Sequence, residues 1–252
     1  MQTAPRRAGS TVGPMLPQNP ADSARARARV ALARGMSAER MAPYQADAEA
    51  RGIDALSLYC YNMALAAALL GPLNVAETVT RNAMQGALGV RFGREDWWNN
   101  PQVQLPSYHR RSITEAQEKL RKKAGRSGRD FEAGDVVAAL EFGFWTGLLG
   151  DGPEDYDFER ELWQPALRAA FPNSRRQRDQ FRKLLDAVRR LRNRVTHHEP
   201  LYRQHHQTSQ RYEDTLLVIA AVDRDLRDWV DHVGTARQRL RMTSDEMRAV
   251  RF

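Results

Sequence analysis

The stretch Phe181-Arg-Lys-Leu-Leu-Asp-Ala-Val-Arg-Arg-Leu-Arg-Asn-Arg-Val-Thr-His-His-Glu-Pro200 decides the fold class. Its apolar residues Phe181, Leu184, Leu185, Val188, Leu191 and Val195, continued by His198, recur at steps of three and four. That spacing is one face of an α-helix, and nothing in the segment alternates as a half-buried strand does. Pro200 has no N–H to carry the ladder on, so the pattern predicts a helix over about 175–199 that Pro200 stops.

The same period runs outward in both directions. Asp54 can cap a helix carrying Leu58, Tyr59, Met63, Ala66 and Leu70, which Gly71-Pro72 is expected to end. A second helix follows over about 74–88, with Val75, Val79, Ala83 and Ala87 on its face and Glu77 and Arg81 four apart, placed to pair. Asp96-Trp97-Trp98-Asn99-Asn100-Pro101 reads as a loop or helix end with aromatic anchors. Helices are then expected near 112–124, 135–149, 158–170 and, after Pro200, 209–232, the last with Tyr212, Leu216, Ile219, Val222, Leu226, Trp229 and Val230 inward. No strand is expected anywhere, so the class is all-α: a helical bundle with additional helices and a flexible N-terminal leader. The expected divisions are a flexible basic leader over 1–35, a helical domain over 36–235, and a C-terminal basic helix or tail over 236–252.

The 252 residues, 42% hydrophobic, suffice for a sizeable core. A net charge of +8 favours a polyanionic partner, and all but four of the 39 basic residues (Lys119, Lys122, Lys123, Lys183) are Arg, whose planar fork matches phosphate oxygens. The same Arg excess is what a GC-rich genome produces, so composition leaves both explanations open. The single Cys60 excludes an internal disulfide and reads as a small core residue, consistent with the cytoplasm. No apolar run is expected to reach the roughly 18–20 residues of a membrane span, and no export signal is recognised.

Around a straight helix at ~100° per residue, Arg192 lies near the apolar stripe, and Asn193 and His197 lie together on the far side, with Arg192 and His197 ~140° apart. Asn193 is placed to hold the His197 imidazole, which sits in the last turn, and His198 is expected to be packed. A His that moves protons and an Arg that stabilises phosphorane-like charge can cleave RNA with its own 2′-OH as nucleophile, without metal or cofactor. The alternative is that both are helix-terminal cations satisfying carbonyls. To bring Arg192 to His197 the helix must distort near Pro200, or a second copy must complete the site. A His197-His198 and His205-His206 metal site is disfavoured, because adjacent histidines point apart and no further ligand has the spacing. Residues 175–194 hold nine basic side chains against two acids, Asp179 and Asp186. Arg182, Lys183, Arg189, Arg190 and Arg194 are the candidate phosphate contacts.

Leu191-Arg-Asn-Arg-Val-Thr-His-His-Glu-Pro200 resembles the signature of the Abi-like (abortive infection) branch of the HEPN superfamily, with Arg192, Asn193 and His197 matching its Arg, polar and His positions. Met36-Ser-Ala-Glu-Arg-Met-Ala-Pro-Tyr44, Ala55-Leu-Ser-Leu-Tyr59 with Tyr61-Asn62, Glu77 with Arg81-Asn82, the Trp97-Trp98 pair and Phe142-Gly-Phe-Trp145 agree in order, so the resemblance spans about 36–232. It implies an endoribonuclease that leaves a 2′,3′-cyclic phosphate, a homodimer with a composite site, and a phage-defence or toxin–antitoxin role restrained by a non-coding RNA or protein antitoxin. It makes Glu77, Arg81 and His198 possible supporting residues. The alternative is a non-catalytic RNA-binding or regulatory helical dimer.

Overall fold

A computed structural model describes residues 26–250 apart from 28–29, 32, 128–129, 154–155 and 249. The chain divides into two compact units between Tyr59 and Cys60, inside a helix that the sequence reading placed within one domain. Residues 1–25 of the expected leader lie outside the described residues, whereas 30–31 and 33–35 are helical rather than irregular.

In the first unit α1 (Ala38–Arg51) starts at Ser37, whose hydroxyl accepts from the Arg40 N–H at 3.2 Å, and ends at Gly52 in the left-handed region, φ 63°. It buries Met41, Tyr44 and Ala48, and Tyr44 meets Tyr59 edge-on with ring centroids 5.0 Å apart. Asp54 caps the next helix as expected, its carboxylate accepting from the Ser57 N–H at 3.0 Å.

That helix, α2 (Ala55–Phe92), is one 38-residue element where the sequence pattern predicts two. Pro72 lies inside it. A proline in a helix interior costs roughly 3 kcal/mol, but burying one leucine returns roughly 1.5–3, and Leu69 and Leu73 on either side are fully buried. Tertiary burial outweighs the local stop signal. The buried line of its second half is Leu73, Ala76, Thr80, Met84 and Leu88, one position away from the face read from Val75, Val79, Ala83 and Ala87. Because Gly71-Pro72 does not divide it, a window within Ala55–Asn99 is long and apolar enough to cross a membrane by length and composition, contrary to the sequence reading; 56% of it is buried here. Cys60 is half-buried and not a core residue.

The remaining helices of the second unit are α3 (Ser107–Ser127), α4 (Ala133–Ala139), α5 (Phe142–Gly147), α6 (Arg178–Thr196), α7 (His205–Val222), α8 (Arg224–Val233), α9 (Ala236–Leu240) and α10 (Ser244–Arg248). No strand occurs among the described residues, and the class is all-α. The single helix expected over 135–149 is broken at Leu140-Glu141, where the backbone is extended. The one expected over 158–170 is a π turn (Glu159–Trp163) followed by a 3-10 turn (Leu167–Ala170). The last long helix is broken at Asp223, whose side chain caps α8 by accepting from the Leu226 N–H at 2.9 Å. Trp229, expected inside, is 58% exposed.

The core of this unit is built where α6 packs on α5 and α7, and α7 on α8. Phe181 stacks obliquely on Phe171 at 4.1 Å between ring centroids and faces Trp163 at 6.4 Å. The C-terminal segment belongs to this core rather than trailing from it. Arg239 accepts from the Tyr61 hydroxyl at 2.9 Å through its carbonyl, and the Arg237 guanidinium bridges Glu213 and Asp231.

His109 on α3 is 2% exposed, and burial pulls its pKa down to about 4 against a smaller opposing effect of the Phe144 backbone. An unfolded histidine takes its proton near pH 6.5, so between 6.5 and 4 the unfolded state binds more protons and acid favours it. Stability is therefore full above pH 6.5 and falls by roughly 3 kcal/mol towards pH 4 through this group alone. Urea titrations at pH 7.0, 5.5 and 4.5 should show that loss, and His109→Gln should flatten it.

Candidate active site

The site is assembled from the C-terminal end of α6. The helix bonding is regular to its cap: the His197 N–H donates to the Asn193 carbonyl at 2.9 Å. The chain then turns left-handed at His198, φ 56°, the one non-glycine residue with positive φ among the described residues. The His198 N–H donates to Val195 O at 3.2 Å and the Glu199 N–H to Arg194 O at 3.0 Å. This pair of bonds is a Schellman ending, usually made by glycine. The helix therefore stops at Thr196 by a left-handed turn, four residues before Pro200. His198, which the apolar pattern places in the seam, is instead exposed.

A buried amide holds this turn. Asn62 on α2, 2% exposed, donates from Nδ2 to the Glu199 carbonyl at 3.0 Å and accepts at Oδ1 from the Leu201 N–H at 2.7 Å. The Leu201 carbonyl in turn accepts from the Thr208 hydroxyl at 3.1 Å. Asn62 appeared in the sequence only as part of the Tyr61-Asn62 block. The signal that marks it is a polar residue on an apolar helical face, since a buried amide has to find partners.

Arg192 points its Nε at Glu77 of α2, 3.3 Å from the carboxylate. The expected Glu77–Arg81 pair is not formed, because the buried side of α2 turns Glu77, 16% exposed, towards α6. Arg192 keeps 38% of its side chain exposed, so the pair is worth at most about 1 kcal/mol and positions more than it stabilises. Arg81 has no carboxylate partner among the described residues and, with Asn82, lines a separate cavity of about 630 Å³. His197 is exposed, and Asn193 is half-exposed. No hydrogen bond joins the Asn193 amide to the His197 ring, so the orienting role expected of Asn193 is not realised in the single chain.

The basic face is far less basic than the sequence suggests. Arg178 bonds Glu159 at 3.0 Å and the carbonyls of Leu149 and Gly150. Arg182 bonds Asp179 at 2.7 Å and lies 3.5 Å from Asp151 and 3.7 Å from Asp186. Lys183 pairs with Asp179 at 2.6 Å, Arg189 with Asp186 at 3.2 Å and Arg194 with Glu199 at 3.0 Å. Lys183 first, and then Arg182, hold the Asp179 carboxyl below its usual range. Arg182, Lys183, Arg189 and Arg194 are thus engaged in ion pairs, while Arg175, Arg176 and Arg190 are exposed and have no carboxylate partner among the described residues. Two acids are local, but Asp151, Glu159, Glu77 and Glu199 come from elsewhere, which a count along the helix misses. No cluster of metal-ligating side chains is present among the described residues. The chain matches no protein-family model, no curated protein and no solved structure.

Two substitutions probe the turn. Asn62→Ala strips the buried Leu201 N–H of its acceptor and should cost about 2–3 kcal/mol in urea denaturation. A left-handed non-glycine residue costs roughly 1–2 kcal/mol, so His198→Gly should raise stability by about 1 kcal/mol. A loss in that variant would show that contacts of the His198 ring outweigh the strain.

Proposed function

We propose that this chain is a metal-independent endoribonuclease centred on the end of α6, with His197 as acid/base and Arg192 as the phosphate stabiliser. The observation that carries the reading is that one helix end holds both a half-exposed Arg192, aimed by Glu77, and an exposed imidazole at its cap. The turn behind them is held rigidly by Asn62. In this chemistry His197 removes the proton of a ribose 2′-OH, the 2′-oxygen attacks the adjacent phosphorus, and the bond to the 5′-oxygen breaks. The products are a 2′,3′-cyclic phosphate and a 5′-hydroxyl end, the leaving oxygen taking a proton from an acid in the site. Arg192 offsets the extra negative charge that builds on the phosphorus oxygens.

Because α6 is regular up to its cap, distortion does not swing His197 round to Arg192 within one chain. The reading therefore includes a homodimer in which one copy's His197 joins the partner copy's Arg192. Of the basic residues, the unpaired Arg190 is the strongest candidate for steering the RNA backbone. The biological role belonging to the resemblance is that of an abortive-infection or toxin–antitoxin toxin held in check by an RNA or protein antitoxin.

The test is incubation of purified wild type and His197→Ala with RNA in EDTA, followed by end-group analysis. Wild type should yield 2′,3′-cyclic phosphate ends, His197→Ala should lose at least 100-fold in rate with its melting unchanged, and Glu77→Ala should lose about tenfold. RNA binding without cleavage by wild type at any concentration would replace this reading with the non-catalytic one.

A further inference from the structure

The second half of α2, the loop after it and α4 enclose a cavity of about 630 Å³ whose lining includes no residue of α6. Arg81 lines it and is half-buried. Its Nε is shut off from solvent without a partner, its two terminal nitrogens stay accessible, and no carboxylate or carbonyl engages any of the three among the described residues. Every other half-buried arginine described in the second unit is engaged, as Arg194 is by Glu199, Arg211 by Asp214, Arg237 by Glu213 and Arg239 by the Met242 sulfur. A partly desolvated cation left unpaired is costly, and a bound anion removes the cost. The wall around Arg81 is fixed. The Gln85 amide donates to the Glu95 carbonyl at 2.6 Å and accepts from the Trp97 indole at 2.8 Å, and Asp96 holds the Arg94 fork at 2.6 and 2.8 Å. Arg81 is therefore the free cation of this cavity among the described residues.

We propose that this cavity is a subsite for one phosphate of an RNA strand, with Arg81 as its anchor. A guanidinium takes a phosphate through two parallel N–H bonds, and the accessible terminal nitrogens can supply them. Arg81 lies one helical turn beyond Glu77, which aims Arg192, so neighbouring phosphates of one strand can meet Arg192 and Arg81 in turn. Gly86 and Gly89 leave the α2 wall without side chains and Val137 adds an apolar surface, which makes room for a ribose or base beside the phosphate. The Glu95 carboxylate lines the same cavity and opposes a second anionic group, so one phosphodiester fits better than a triphosphate. The proposal rests on the α6 reading for the strand's being RNA, whereas the anion site itself does not depend on cleavage.

Fluorescence anisotropy of the full chain with a labelled, uncleavable 2′-O-methyl hexaribonucleotide tests it, with inorganic phosphate and nucleoside 5′-monophosphates as competitors. Saturable binding of the hexamer is expected. Arg81→Gln should weaken it at least fivefold and flatten the slope of log affinity against log salt by roughly 0.7, the share of one single-strand phosphate contact. Glu95→Gln should strengthen it. Gly86→Leu, where an added Cβ meets nothing within 4 Å, should fill the cavity and weaken binding. Arg81 has no partner to lose and glycine is the poorer helix former, so neither Arg81→Gln nor Gly86→Leu should lower the melting temperature. Arg168→Gln, which removes an exposed cation outside the cavity, should change affinity less than twofold. Competition by phosphate or a mononucleotide at the hexamer's own affinity overturns the strand assignment in favour of a free phosphate compound. No hexamer binding at low salt, or equal affinity of wild type and folded Arg81→Gln, overturns the proposal. Arg81-dependent binding by a chain that leaves RNA intact refutes cleavage at α6 and upholds the subsite.

Discussion

The amide of Asn62 is the constraint on which the end of α6 depends. Five residues after a helix of strong amphipathic pattern, the chain has to turn back into the core at Leu201, which is fully buried, and a buried backbone needs its polar groups met. Asn62 meets two of them at once, one as donor and one as acceptor, from a helix far away in sequence. With Thr196 held in α6 on one side and Glu199 and Leu201 held by Asn62 on the other, the chain between has little freedom, and the left-handed conformation at His198 is how the path closes. Strain at one residue is sustained because the fixed ends over-determine it. The consequence at the surface is that His197 projects from a rigid cap rather than from a fraying end.

Electrostatics of the same helix follow from packing rather than from composition. An Arg-rich helix facing solvent would present a broad phosphate-binding stripe, but α6 lies among segments that bring Asp151, Glu159 and Glu77 to it. Charges on the flanks of a packed helix are partly desolvated, and cancelling them within the fold is cheaper than leaving them unpaired. What remains for an external polyanion is a small set of cations, of which Arg190 lies nearest in sequence to Arg192. A count of the basic side chains along α6 therefore overstates what that helix offers a polyanion.

The fold class was legible because a period of three and four is imposed by burial along one side of a helix, and α6 shows it cleanly from Phe181 to Val195. Boundaries were legible only where a single residue sets them, as at Asp54. Gly71-Pro72 misled because a local stop signal of roughly 3 kcal/mol competes with burial that only the tertiary structure reveals. Leu140 and Asp223 misled in the opposite sense, since apolar continuity hides a break whose cause is how α4 and α5, or α7 and α8, lie on their neighbours. For the candidate site, Arg192, Asn193 and His197 are proposed from one segment. The partner of Arg192 could not be read there, because Glu77 also has Arg81 at helical spacing and only packing chooses between them. Asn62 was visible as an odd polar residue in an apolar run, though its target was not.

Helical geometry carries one further step. Residues five apart on a regular helix diverge by ~140°, and the bonding of α6 holds that regularity to the His197 N–H. A single chain can then present its Arg and its imidazole to one phosphate only if the substrate wraps the helix end, which a phosphate with two neighbouring riboses is too small to do. A twofold axis near the helix end would resolve the conflict on the proposed reading, setting one copy's Arg192 opposite the other's His197 in two equivalent sites. On the proposed reading, the rigid turn at His198 and the ion pair to Glu77 serve the same end. Each fixes one half of a site whose halves belong to different chains, so neither half has to be flexible for the pair to meet.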